Sequence, residues 1–227
     1  MKLGRIDIHI DVALLSSHLV EPRTGHLEQV FNIFGYLKAH LNSHLVFDPQ
    51  YVTWEQASFE QYDWKDFYND AKEAIPPNAP AARGHPVQIN AFVDANHAGN
   101  KITRRSHTGI LIYLNCAPIV WYSKAQTMVE TSTFGSEFVA MRILVEMLEA
   151  MRYKLRMLGV PIDGPSNVFC DNKSVVTNST IPTSTLKKKY NSIAYHRVRE
   201  AVAAGILQIA KVQSSENLVD LLTKSLP

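Results

Sequence analysis

Four carboxylates in the second half of the chain, Asp94, Glu137, Asp171 and Asp220, are the residues whose type and setting could do chemistry. Three of them have ordinary explanations when taken singly. Asp94 ends a β-rich run, where a solvated turn aspartate is common. Asp171 follows Cys170 and precedes a short helical pattern, so it suits a helix N-cap. Asp220 falls in the opening turns of a last helical pattern, where it suits the helix dipole. Glu137 is harder to account for. In a helix running from Ser132 or Thr133 to Leu158, the residues Phe134, Phe138, Met141, Leu144, Val145, Leu148 and Met151 form the buried stripe. Glu137 sits on or at the edge of that stripe. An ionised carboxylate there costs several kcal/mol unless it is paired or binds a cation, and no fixed cation is near it in sequence. If the four acids converge, their repulsion calls for divalent ions. Oxygen donors without His or Cys suit Mg²⁺ or Mn²⁺. Two such ions ~3.5–4 Å apart can activate water and stabilise the leaving oxygen in phosphodiester cleavage.

The elements that must position these acids follow from the apolar periodicity. Val87–Asp94 alternates, with Ile89, Ala91 and Val93 on one face and Asn90, Phe92 and Asp94 on the other. Gly109–Leu114 and Pro118–Tyr122 are β-rich runs joined by a turn around Asn115, which predicts a hairpin. The long helix ends at Gly159 and Pro161. A strand is expected over Asn167–Cys170, short helices over Asn172–Asn178 and Asn191–Ala204, a strand over Ile206–Val212 and a last helix over Glu216–Thr223. The order β-β-β-α-β-α-α-β-α suits an α/β fold, a mixed sheet flanked by helices. In such a fold the ends of two strands and the openings of two helices can meet at one edge.

Upstream, two helices are expected, Ile8–Leu19 and about Gly25–Asn42. The second carries an apolar stripe of Leu27, Val30, Phe31, Phe34, Leu37 and Leu41. Leu45–Phe47 reads as a short closing strand. His40 and His44 are four apart but have no third ligand, so a solvated helix end is the better reading. Residues 1–50 thus form a small helical segment. Residues 51–86 are a linker rich in proline, with Trp54, Trp64, Phe67 and Tyr68 as aromatic anchors and Ile75–Pro86 extended. Residues 87–227 form the α/β domain.

Charge divides along the same boundary. Residues 1–85 carry 7 Lys/Arg against 11 Asp/Glu, and residues 86–227 carry 16 against 10. The second half therefore has the sign expected of a nucleic-acid binder, a signal that many other enzymes share. Arg104 and Arg105 follow the first strand and Lys124 follows the hairpin. Lys173 is beside Asp171, Lys187–Lys189 form a run, and Arg197 and Arg199 come next. Any of these can line a groove, although a charge run is usually a solvated face. Trp121 and Tyr122 can stack on a sugar or base, yet hairpin aromatics more often pack. Cys116 and Cys170 form no CxxC pair, Met1–Arg5 lacks the apolar stretch of a signal peptide, and no run approaches the ~20 apolar residues of a membrane span. An intracellular setting, in a cytoplasmic particle or the nucleus, is expected.

The runs Phe92-Val-Asp-Ala-Asn-His-Ala-Gly99, Thr103-Arg-Arg-Ser-His-Thr-Gly109 and Trp121-Tyr-Ser-Lys-Ala-Gln126 resemble the ribonuclease H region of copia-type LTR retrotransposon Pol polyproteins. So do Thr131-Ser-Thr-Phe-Gly-Ser-Glu-Phe-Val-Ala140, Phe169-Cys-Asp-Asn-Lys-Ser174, Tyr195-His-Arg-Val-Arg-Glu200 and Glu216-Asn-Leu-Val-Asp-Leu-Leu-Thr-Lys224. Each is loose alone, but they are collinear over 87–227. Gly4-Arg-Ile-Asp7 and Gly35-Tyr-Leu-Lys38 carry a weaker likeness to the helical connection that follows the polymerase palm. The resemblance implies a ribonuclease H-like five-stranded mixed sheet. It also implies that Asp94, Glu137, Asp171 and Asp220 hold two Mg²⁺ or Mn²⁺ ions, and that the substrate is the RNA strand of an RNA–DNA hybrid. Integrases share the fold but order their acids Asp-Asp-Glu. The order Asp-Glu-Asp-Asp favours the ribonuclease.

The chain departs from the family pattern at four positions. Asn96 replaces the second acid of the usual Asp-Ala-Asp run, and His97 a frequent Trp. Gly135 replaces a Glu, and Tyr190 a His. The loop Gln213-Ser-Ser-Glu216 lacks the product-release histidine of cellular ribonucleases H. None of these is one of the four acids. They make a catalytically inactive remnant that still binds nucleic acid the alternative expectation. No Asp-Asp dipeptide is present and too few residues precede position 87 to build a palm. No polymerase activity is therefore expected, and the polymerase domain of a longer parent is an expected partner.

Overall fold

The computed structural model describes residues 5–52, 57–100, 102–186 and 191–225. Strands β1 (Ile89–Asn96), β2 (His107–Leu114), β3 (Ala117–Ala125), β4 (Ser166–Cys170) and β5 (Leu207–Lys211) form one five-stranded sheet in the order β3-β2-β1-β4-β5. The β1–β2 and β2–β3 pairs are antiparallel, and the β1–β4 and β4–β5 pairs are parallel. This is the mixed sheet that the order of elements implied, and its topology is ribonuclease H-like. Before the sheet come three helices, α1 (His9–Ser16), α2 (Thr24–Ala39) and the single turn α3 (Lys65–Tyr68). Helix α4 (Thr133–Met157) follows the hairpin, and α5 (Lys173–Thr180) and α6 (Ser192–Ala203) lie between β4 and β5.

The alternation in β1 sends Ile89, Ala91, Val93 and Ala95 to one face of the sheet. There they meet Phe138, Met141, Leu144 and Leu148 of α4 and Val198 of α6. The second face carries Phe92, Leu111, Phe169 and Ala210. These are covered by Ile6, Val219 and Leu222, with Leu45 and Phe59 at the margin. The central strands β1 and β4 are buried on both faces, and the buried Asn90 and Asn167 on them are hydrogen-bonded to each other at 2.9 Å. Ser132 starts α4 by accepting a hydrogen bond from Gly135 N at 3.2 Å, and Gly159, at φ +71°, ends it.

Several expectations are corrected. The last helix is two 3-10 turns, Ser214–Glu216 and Leu218–Leu222. Leu45–Phe47 is not a strand, although Leu45 packs on the sheet. Val87 makes only an isolated bridge with Ile162, so β1 starts at Ile89. Helices α1 and α2 are shorter than expected, and α2 is rotated. Its buried residue is Ile33, whereas Leu27, Phe31, Phe34 and Leu41 are exposed. Polar contacts explain the rotation: Gln29 donates to the buried Asp11 at 3.3 Å, and Tyr36 lies against Arg5 on the same side as Ile33.

The linker is strapped onto the domain. Trp64 is buried against the Arg199 guanidinium, 4.8 Å from its ring centroid, and the Tyr68 hydroxyl meets His196 Nδ1 at 2.5 Å. Phe67 is exposed, and Trp54 lies outside the described residues. Residues 69–86 contain no helix or strand, as their prolines imply. Within them, Glu73 accepts from Arg152 at 2.7 and 3.0 Å and from Arg156 at 2.6 and 2.8 Å. Arg152 is buried, so loss of Glu73 leaves its charge uncompensated. Glu73→Ala is expected to lower unfolding stability by about 3 kcal/mol and to expose residues 57–86 to limited proteolysis. Unchanged urea midpoints and cleavage patterns would contradict the strap.

Candidate metal centre

The acids gather at the ends of β1 and β4. These strands are parallel neighbours with Phe92 beside Phe169. The pairing ends two residues before Asp94 and Asp171, which therefore leave the same end of the parallel pair and feel each other's charge. Glu137 projects from the opening turns of α4 and is 6% exposed. Its Oε1 accepts from Asn172 Nδ2 at 3.0 Å, and the Cys170 thiol lies 3.8 Å from its Oε2. Ligand atoms of Glu137, Cys170 and Asp171 all lie within 4.8 Å of one another, the group among the described residues that can hold a metal ion. Asp94 and Asp220 stand outside that group. Asp94 Oδ2 accepts from Thr223 Oγ1 at 2.6 Å, Asp171 Oδ2 accepts from Ser214 Oγ at 2.7 Å, and Asp220 is ion-paired with Lys224.

Electrostatics link all four acids. Burial chiefly raises the Asp94 carboxyl, and the charges of Asp171 and Asp220 push it the same way against the Thr223 hydrogen bond. Burial pushes Glu137 up to about 7, opposed by Asn172 and reinforced by Asp171 and Asp94. The Cys170 thiol is raised well above its ordinary value by burial. Lys224 is raised mainly by its hydrogen bond to Asp220, and it also feels the charges of Asp94 and Asp171.

Several supporting residues carried no signal in the sequence. The N-cap of α5 is Asn172, not Asp171; its Oδ1 accepts from Ser174 N at 2.9 Å, which leaves its amide free for Glu137 and the Asp171 carboxylate for the site. Asp220 faces Lys224 from a 3-10 turn instead of a helix dipole. Cys170 and Ser214 are next to Asp171 in sequence and in space respectively, and only adjacency to an acid could have marked Cys170. Gly135, where the family pattern has Glu, is matched to its surroundings. A Cβ there would fall 2.5 Å from Glu130 Oε2 and 2.9 Å from Asn191 Nδ2.

Of the basic residues, Arg104 and Arg105 are exposed in the β1–β2 turn, where Arg104 adopts φ +56°. Lys124 is exposed at the end of β3, and Lys173 is exposed two residues after Asp171. Arg197 is different. It pairs with Glu149 of α4, twelve residues beyond Glu137 and hence ~18 Å along the helix, which takes it away from the acids. Arg199 is buried and structural. Trp121 and Tyr122 pack against the two cores. Lys187–Lys189 and Tyr190 lie outside the described residues.

Glu137 and His107 make opposing contributions to the pH dependence of folding. Glu137 binds its proton more tightly folded than unfolded. The stability it contributes is present below about 4.5 and lost as pH rises through about 7. His107, pushed from 6.5 down to about 4 mainly by burial, has the opposite slope: its contribution is present above 6.5 and lost as pH falls through about 4. The two offset each other in the unaltered chain, so the difference from a variant is the observable. In metal-free buffer, Glu137→Gln is expected to match the unaltered chain near pH 4. Above pH 7 it should be more stable by roughly 2–4 kcal/mol. Urea unfolding at each pH reads this, and a difference that does not change with pH would refute it.

No family model matches the chain. It is 30% identical over 144 residues, 63% of its length, to the retrovirus-related Pol polyprotein from transposon RE1 of Arabidopsis thaliana. It is also 30% identical over 139 residues, 61% of its length, to that from transposon TNT 1-94 of Nicotiana tabacum. The chain spans 10% of the length of each. Among solved structures it is similar to LC11 ribonuclease H1 in complex with an RNA/DNA hybrid, at 16% identity and a TM-score of 0.48, covering 60% of this chain and 93% of the other. It is also similar to ribonuclease H1 from Halobacterium salinarum, at 14% identity and a TM-score of 0.44, with the same coverage, 60% and 93%. The fold assignment rests on strand order and direction. The relatives are retrotransposon Pol polyproteins, as the motifs implied.

Proposed function

We propose that this relative of retrotransposon Pol polyproteins is a metal-dependent ribonuclease that cuts the RNA strand of RNA–DNA hybrids. Asp94, Glu137, Asp171 and Asp220 would hold two Mg²⁺ or Mn²⁺ ions. The supporting observation is Glu137, a carboxylate 6% exposed which among the described residues accepts from an amide and a thiol and whose ionisation is opposed by burial, Asp171 and Asp94. A divalent cation is the partner that would offset this, and the predominance of oxygen donors suits Mg²⁺ or Mn²⁺. Bound there, the ions would supply an activated water and charge stabilisation at the leaving oxygen.

The chain's own residues orient the carboxylates. Asn172 fixes Glu137, Ser214 fixes Asp171 and Thr223 fixes Asp94. Arg104, Arg105, Lys124 and Lys173 are exposed and free to meet phosphates, whereas Arg197 drops out of this set. A hybrid would be recognised by backbone shape and 2′-hydroxyls, with affinity falling as salt rises. A polymerase domain is the proposed protein partner. Among the described residues, no helix is long and apolar enough to cross a membrane. A non-catalytic nucleic-acid-binding remnant is the second reading. The pairing of Asp220 with Lys224, outside the Glu137–Cys170–Asp171 group, favours it.

The folded chain is expected to cleave a labelled RNA–DNA hybrid only when Mg²⁺ or Mn²⁺ is present. Asp94→Asn and Asp171→Asn should each lower the rate by more than ~100-fold, beyond the loss typical of an outer partner. No cleavage by folded protein across a range of both metals would leave the remnant reading standing. Arg104→Ala should weaken hybrid binding and reduce the salt slope by about 1.

A further inference from the structure

Asp220 is carried by a segment with little structure of its own. Residues 214–222 form two 3-10 turns, and Val219 and Leu222 are the apolar side chains that seat them on the sheet. The rest of the attachment is polar. Asn217 Nδ2 donates to Val93 O at 3.3 Å, and Ser123 Oγ donates to Leu222 O at 2.7 Å. Two further bonds run in series through one residue: Asn96 Nδ2 donates to Thr223 O at 3.1 Å, and Thr223 Oγ1 donates to Asp94 Oδ2 at 2.6 Å. Thr223 is buried, and its methyl packs where a side chain on residue 109 would stand. A Cβ on Gly109 would come 2.6 Å from Thr223 Cγ2.

We propose that Asn96 and Thr223 are positioning residues, a clasp that fixes Asp94 and sets Asp220 against it. The proposal rests on the metal-site reading above. A hydroxyl has one proton, and at 2.6 Å that proton goes mainly to Asp94, with the Asp220 carbonyl a weaker acceptor at 3.3 Å. One lone pair of Asp94 Oδ2 is thereby committed, the Ala95 N–H adds a second hydrogen bond to the carboxylate, and together they restrict its rotation. The other half of the clasp requires an amide. An ionised aspartate at position 96 is acceptor-only and would face the Thr223 carbonyl, another acceptor. Asn96 is therefore not a catalytic acid that this chain has lost. It is the donor that the terminal turn needs, and Gly109 on the next strand leaves room for the Thr223 methyl.

The test uses the full chain and Mn²⁺ binding followed by electron paramagnetic resonance, with hydrogen exchange of residues 213–225 on the same samples. Thr223→Val, nearly isosteric, is expected to weaken Mn²⁺ binding by about 10- to 100-fold and to deprotect the segment. Thr223→Ser keeps the hydroxyl and should restore both. Asn96→Asp, although it reinstates the acid of the family pattern, should weaken binding and deprotect the segment. Tighter Mn²⁺ binding by Asn96→Asp would overturn the proposal and mark position 96 as a lost ligand. Equal protection in all four proteins would overturn it whether or not the metal binds. Unaltered protein that binds Mn²⁺ but cuts no hybrid would fail the ribonuclease reading alone.

Discussion

Phe92 and Phe169 stack at 4.9 Å on the second face of the sheet, across the parallel pairing of β1 and β4. That register is the constraint on which the rest depends. Side chains on a strand alternate with a period of 2, so Asp94 and Asp171 leave the same side two residues later, beyond the cover of the aromatic pair. A slip of one strand by one residue would send its phenylalanine to the α4 face and turn its acid away from the other. The apolar contact therefore fixes the polar one. It also demands a cover, which Ile6, Phe59, Val219 and Leu222 supply from segments far apart in sequence.

The second device lies at the other side of the molecule. The Arg199 guanidinium is buried among Trp64, Tyr68 and Tyr195, at 4.8, 5.8 and 4.7 Å from their ring centroids. Its terminal nitrogens donate to the carbonyls of Asn178, Ile181 and Pro182 and to Ser184 Oγ. Its Nε has no hydrogen-bond partner among the described residues, an omission that three aromatic faces can offset. One residue thus joins the strap, α6 and the turn after α5. Glu73 does the same for the strap and α4 through two arginines. Helix α4 is fixed at its far end by these pairs and at its near end by Ser132, so Glu137 is held from both directions.

How much of this could be read from residues depended on whether a local rule decided the outcome. The strands β1 and β4, the helix α4 and the exceptional position of Glu137 were legible, because alternation, a long apolar stripe and a misplaced charge are local patterns. The face of α2 was not, because Gln29 and Tyr36 respond to Asp11 and Arg5 on other segments, and that partnership overrides the stripe of Leu27, Phe31 and Phe34. Arg199 looked like a groove residue for the same reason: a burial site built from Trp64 and Tyr68 leaves no trace near position 199. Asp171 looked like a cap because it precedes a helix, and only the geometry assigns that task to Asn172. The terminal turn was read as a helix from its apolar spacing. Asn217 and Thr223 instead turn their hydrogen-bonding groups toward the sheet.

The places where local rules fail gather around the acids. Glu137 is a charge on a buried stripe, Asp94 is raised chiefly by burial, Cys170 is a buried thiol against a carboxylate, Gly109 leaves room for the Thr223 methyl, and Gly135 leaves room for polar atoms of Glu130 and Asn191. Each lowers the stability of the metal-free fold or constrains a position for no gain in packing. Sequences settle on such conflicts at functional sites and compensate elsewhere. Here the compensation is visible as a sheet covered on both faces and a strap held by paired arginines. A chain in which the acid cluster served nothing would gain stability by replacing Glu137 with a neutral residue of the same size. Its presence, held by the Asn172 amide within reach of the Asp171 and Asp94 charges, is the physical observation that supports the proposed metal site.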